Sequence, residues 1–268
     1  MLIMFTVSHA VASALDVLQR IWDASTARTP SLDPRTSLWC AVLALIAVAV
    51  NQLWIIARNV ITIVHEGGHA LIALITGRRL EGIRLHSDTS GVTVSVGKDH
   101  GPGLAATRFA GYAAPSLCGL GCAAIIAHGY ATGVLWLLVL ALALLITRVR
   151  NGYGWITILV VGALVIGMAW FGDPMQRTML AHVIVWFMLF GAIRPLFELM
   201  HQRATGQADD SDADQLGRTW LPAGVWIGLW LSVAVICLWL ATRALLPTWS
   251  MSAFKFWNQA ASTRGVIR

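Results

Sequence analysis

Apolar residues arrive along this chain in long runs. The strongest cover Ser37–Ala57, Leu104–His128, Val134–Thr147, Trp155–Phe171, Met179–Ile193 and Pro222–Leu246, and a further apolar stretch surrounds residues 59–77. A helix of about 20 apolar residues is what the ~30 Å hydrocarbon core of a bilayer demands. The pattern therefore predicts an all-α polytopic membrane protein with six or seven transmembrane helices. The count turns on residues 37–77, where Arg58 and Asn59 interrupt the apolar run but no Gly or Pro marks a stop. Two short spans with a tight break, or one long bent helix, both fit. Ahead of this lies an amphipathic stretch from Val7 to Trp22, then a segment with Pro30 and Pro34, which reads as a surface-lying helix and a turn. The start, MLIMFTVSHAVASA, is apolar but has no basic n-region, so it makes a poor cleaved signal peptide.

Between residues 80 and 97 the period changes. Ile83 and Leu85, then Val92, Val94 and Val96, alternate with polar residues, and Asp88-Thr89-Ser90-Gly91 is turn chemistry between them. That is a β-hairpin signal. The organisation that follows is an N-terminal segment over 1–37, a membrane domain over 38–246 and a C-terminal tail over 247–268. The membrane domain holds the hairpin at 80–97 and an acidic loop at 194–221.

Composition strengthens the membrane reading: 57% of residues are hydrophobic, 12% are charged and the mean hydropathy is +0.70. The net charge of +6 does not imply a nucleic-acid partner, because the basic residues are scattered over loops and tails. Counting four spans between the hairpin and the acidic loop puts both on one side of the membrane. Arg78, Arg79, Arg84, Lys98, Arg148, Arg150, Arg194, Arg203 and Arg218 then share that side, which the positive-inside rule makes cytoplasmic, most simply at the plasma membrane. A seven-span arrangement would add Arg20, Arg28 and Arg35 to it, while Lys255, Arg264 and Arg268 in the tail would fall outside. Cys40, Cys118, Cys122 and Cys237 all lie in apolar runs and read as small packing residues.

The chemistry concentrates in the apolar stretch at 59–77, which contains His65-Glu66-Gly67-Gly68-His69. On a helix, residues four apart share a face, so His65 and His69 can both point at one metal ion. The H-E-x-x-H pattern supplies two imidazoles to zinc and sets the Glu, here Glu66, where it can act as general base on water. The competing account is a pair of packing histidines neutralised by Glu66. Ionisable groups inside an apolar span are costly, which favours function. A catalytic zinc site keeps three protein ligands and one open position, so a third donor must come from elsewhere. The acidic loop offers Asp209, Asp210, Asp212 and Asp214. His86 and Asp88 are also near in sequence, although turn backbone is the commoner partner for such residues. An extended peptide could pair with the hairpin edge, which makes Gly91, Val92 and Thr93 candidate substrate-binding residues; a plain lid or connector is the alternative.

HEGGHALIALITGRRLEGIRLHSDTSGVTVSVG, followed by AGYAAPSLCG and later SDADQL, resembles the site-2 protease family of intramembrane zinc metallopeptidases, over roughly residues 38 to 245. The resemblance implies Zn2+ as cofactor, His65 and His69 as ligands, Glu66 as general base, and a membrane protein or peptide as substrate. The family's third ligand is an Asp in an Asp-Gly context. This chain carries Ser211-Asp212-Ala213-Asp214 there instead, so Asp212 is the first candidate and Asp214 the runner-up. That departure keeps a non-catalytic metal-binding membrane scaffold as the alternative function. A transporter with a His65–Glu66 relay would call for internal symmetry, which the sequence does not show.

Overall fold

The computed structural model describes residues 2–206, 211–218 and 221–246, with side chains from Ser13 onward. Asp209, Asp210 and the tail at 247–268 lie outside the described residues. In chain order the elements are α1 (Leu2–Thr26), α2 (Pro34–Ala49), α3 (Asn51–Ile75), β1 (Arg79–Leu85), β2 (Gly91–Val96), α4 (Pro102–Ala127), α5 (Ala131–Ile146), α6 (Gly152–Phe171), α7 (Pro174–Gly191), α8 (Arg194–Ala204), α9 (Asp212–Gly217) and α10 (Ala223–Leu245).

Among the described residues, four helices are long and apolar enough to cross a membrane: α4, α6, α7 continued by α8, and α10; α2 and α3 make a fifth if the bent pair is one span. The expected six or seven spans are not reached by that measure. The sixth candidate, α5, has 16 residues. At 1.5 Å per residue it is about 24 Å long, shorter than the hydrocarbon core. It nevertheless joins the two ends of the bundle. Before it, Thr29 donates to the Gly129 carbonyl (2.8 Å) and Arg28 lies over the Tyr130 ring. After it, the Ile83 N–H donates to the Arg148 carbonyl and the Arg150 N–H donates to the Ile83 carbonyl, both at 2.9 Å. Arg28 therefore lies at the end of α5 away from the hairpin, whereas the seven-span grouping expects it on the hairpin side.

The break within residues 37–77 is not at Arg58–Asn59. It falls at Val50 (φ −79°, ψ 116°), where the chain bends by 101°. The cause is remote in sequence. Ending α2 there frees the carbonyls of Val48 and Ala49, and Arg194 at the start of α8 donates to both, and to Asn51 Oδ1 at 2.8 Å. Glu198, one turn further along α8, accepts from Arg194 Nε (3.0 Å) and Trp54 Nε1 (2.9 Å), and Arg58 Nη1 stands 3.4 Å from it. A helix break in an apolar bundle is tolerated when its freed carbonyls find donors, and here one guanidinium supplies them.

α3 runs against α4 with small residues at the contact. A Cβ on Gly68 would come within 2.5 Å of Ala114 Cβ and 2.8 Å of the Ala110 carbonyl, so only glycine allows the helices this close. β1 and β2 pair antiparallel with Ile83 opposite Thr93 and Leu85 opposite Gly91. Asp88 closes the turn by accepting from the Ser90 amide (2.9 Å) and hydroxyl (2.7 Å), contacts that hold its carboxyl below the usual range. The hairpin's polarity is the reverse of a soluble one. On β1, Leu80, Ile83 and Leu85 are buried against Ile63, Val149 and Ile158, but on β2 the valines Val92, Val94 and Val96 point outward and the polar positions point in.

Candidate metal centre

The inward positions of β2 lie over the centre of α3. Thr93 Oγ1 donates to Glu66 Oε2 (2.6 Å) and also lies 3.2 Å from the Glu66 carbonyl. A Cβ at Gly91 would sit 2.6 Å from Glu66 Oε1, so glycine is what lets the strand approach. Glu66 is buried, with 4% of its surface exposed. Val92, the middle residue of the three named as candidate substrate contacts, faces the other way and is 48% exposed.

Next to Glu66 around α3, less than a third of a turn away, His65 and His69 converge with Asp212. The two Nε2 atoms are 3.0 Å apart, and Asp212 Oδ2 stands 3.3 Å from His65 Nε2 and 3.1 Å from His69 Nε2. His69 Nδ1 is 2.6 Å from the Thr107 carbonyl. A carbonyl only accepts, so Nδ1 carries a proton and Nε2 is the atom that faces the cluster, available as a ligand when the ring is neutral. Two imidazole lone pairs and a carboxylate this close repel unless a proton or a metal ion sits between them. The triangle has the right size for a metal ion. Sides of 3.0, 3.1 and 3.3 Å give a circumradius of about 1.8 Å. A zinc ion bound at the usual distances of about 2.0–2.1 Å would call for donors roughly 3.3 Å apart, close to the separations seen here, so His65, His69 and Asp212 would fit it.

The wall of the cluster is α4 and α10. A Cβ on Gly111 would lie 2.6 Å from His65 Nε2 and collide with His69 as well; its absence leaves a hollow at the convergence point. Tyr112 packs edge-on to His65 (4.7 Å, 88°) and against Trp230 (4.7 Å), whose Nε1 donates to the Phe109 carbonyl at 2.9 Å. Burial alone would raise the Asp212 carboxyl, but the two imidazoles prevail and hold it well below the usual carboxylate range.

Asp214 takes a different place. Ser211 caps α9 by accepting from the Asp214 amide (3.3 Å) and donating to Asp214 Oδ2 (2.5 Å), while Arg203 pairs with Oδ1. It does not face the imidazoles. His86 and Asp88 are engaged within the hairpin turn, and the cysteines are free. Among the described residues, His65, His69 and Asp212 are the one group of three side chains placed to hold a metal. Sequence reasoning did not find Thr107, Gly111, Tyr112 or Trp230. The small-residue run at 111–121 was the only signal, and it marks close packing without saying against what.

A helical bundle of apolar spans with a His-His-Asp cluster beside a buried glutamate is the architecture of a membrane metallopeptidase. Comparison with family models gives the same class: the Peptidase M50B-like family matches residues 38–241, and the chain belongs to it. Comparisons with curated proteins and with solved structures returned no match.

Proposed function

We propose that this protein is an intramembrane zinc metalloprotease that hydrolyses peptide bonds in membrane or membrane-adjacent substrates. The observation that carries the reading is the convergence of His65 and His69 with Asp212, 147 and 143 residues further along the chain, next to a buried Glu66. Peptidases of this family are generally zinc enzymes. In this reading His65, His69 and Asp212 hold Zn2+, which supplies Lewis acidity that polarises a peptide carbonyl and makes water nucleophilic near neutral pH. Thr93 fixes Glu66 through Oε2, and Oε1 takes the proton of the attacking water. The same carboxyl returns that proton to the amine nitrogen as the C–N bond breaks.

The hairpin is the candidate place for the substrate. Ile83 spends its main-chain N–H and C=O on the Arg148–Arg150 side. Thr93, directly opposite, therefore turns its own toward the outer edge of β2, where no further strand pairs among the described residues. An extended peptide laid there along Gly91, Val92 and Thr93 would pass over Glu66. The arginine-rich loops on the hairpin side support a cytoplasmic orientation of this end, at the plasma membrane.

The test is on detergent-purified protein, with zinc measured by mass spectrometry and fluorescently labelled casein as a generic substrate. His65→Ala loses the metal. Glu66→Gln keeps it and lowers cleavage by about 10²- to 10⁴-fold. Unchanged zinc in His65→Ala removes the ligand assignment, and undiminished cleavage by Glu66→Gln leaves a metal-binding scaffold instead of an enzyme.

A further inference from the structure

We propose that Arg203 and Asp214 form a positioning clamp that aims Asp212 at the two imidazoles, so that metal affinity depends on a charge pair that touches neither the ion nor the histidines. The inference rests on the metal reading above.

α9 is a single six-residue helix. A helix this short has no stability of its own, so its orientation is set by what holds it. Asp212 and Asp214 are two positions apart, about 200° around a helix axis. An orientation that offers one carboxylate to the imidazoles turns the other away. Asp214 is the one turned away, and both of its oxygens are engaged, Oδ1 by Arg203 and Oδ2 by the Ser211 hydroxyl. The side chains of this pair are only 31% and 20% exposed, so solvent screens the attraction less than at an open surface.

Arg203 is itself held. It lies in the last turn of α8, and the N-terminal half of the same helix carries Glu198, which accepts from Trp54 and pairs with Arg58 on α3. α8 thus touches the histidine-bearing helix at one end and the Asp212-bearing helix at the other. It acts as a strut that sets how far the carboxylate stands from the imidazoles. Two other ties keep α9 docked and fix its buried face, leaving the clamp to set the finer aim of Asp212. Ala213 and Leu216 are buried with Leu196 and Leu199, and Arg108 Nη1 donates to the Gln215 carbonyl at 3.3 Å. Loss of the clamp therefore leaves a folded protein with a misaimed third donor.

The experiment uses the full chain in detergent. Zinc affinity is read by competition with a chromophoric chelator, helicity by circular dichroism, and coordination by the visible spectrum of the Co2+ form. Arg203→Met and Asp214→Asn each weaken zinc binding about 10- to 100-fold, the range found when outer-shell partners of metal ligands are lost. Their double variant is no weaker than either alone, because the two act as one unit. Arg203→Lys restores most of the affinity, and the Co2+ bands of Arg203→Met change in position and intensity. Wild-type zinc affinity and an unchanged Co2+ spectrum in both single variants, with Asp212→Asn losing the metal, overturn the clamp alone. If wild type and Asp212→Asn both fail to bind zinc, the metal reading fails and the clamp goes with it.

Discussion

Replacing Gly111 by alanine probes the metal centre without altering a single donor atom. The added methyl carbon would stand 2.6 Å from His65 Nε2, where ordinary van der Waals contact begins at 3.4 Å, so that ring alone must retreat by 0.8 Å. Metal sites tolerate about ±0.2 Å in donor distance, a quarter of that retreat. His69 meets the same methyl and is pinned from behind by Thr107, so it cannot yield without losing that hydrogen bond. The expected result for Gly111→Ala is zinc content near that of His65→Ala, measured by mass spectrometry on protein purified in parallel. Gly121→Ala is the control on the same helix: a Cβ there meets nothing within 4 Å, so its zinc content and thermal stability should match or exceed wild type. A Gly111→Ala protein that keeps one zinc per chain would refute the placement of the ion between the imidazoles.

Two further outcomes follow from the same geometry. Gly91→Ala pushes a methyl against Glu66 Oε1 and Cγ, so cleavage of labelled casein should fall at least tenfold with zinc content unchanged, and equal loss of zinc would mean the hairpin supports the fold rather than the general base. Trp54→Phe removes the 2.9 Å donor to Glu198, a hydrogen bond to a charged group worth about 1.5–3 kcal/mol, and should lower the midpoint of thermal unfolding in detergent; an unchanged midpoint would show that the bend at Val50 does not rely on it.

Much of the local structure was legible because it is written in neighbouring residues. The apolar runs locate α4, α6, α7 and α10, and the alternation around Asp88–Gly91 locates the hairpin to within a residue or two. The bend at Val50 was not legible, because its determinant, Arg194, lies more than 140 residues away. Nor does any local feature say that valine would face outward on β2, since alternation fixes only that one set of residues shares a face. The site divides in the same manner. The spacing of His65 and His69 is a property of one helix. Which aspartate reaches them depends on how α9 is rotated, and that is set by its buried Ala213 and Leu216 together with Arg203. Thr107 carries no mark in the sequence at all: its role is performed by a main-chain carbonyl, which every residue owns.

Val92, Val94 and Val96 form an open row on a strand whose outer edge has no partner among the described residues. In plain water such a row is an invitation for two copies to stick together strand to strand. Handling of this protein is therefore bound to amphiphiles for a reason separate from its long helices. Trimming it down to a water-soluble fragment around the histidines would expose a self-adhesive surface at the very place where the chemistry is proposed to occur.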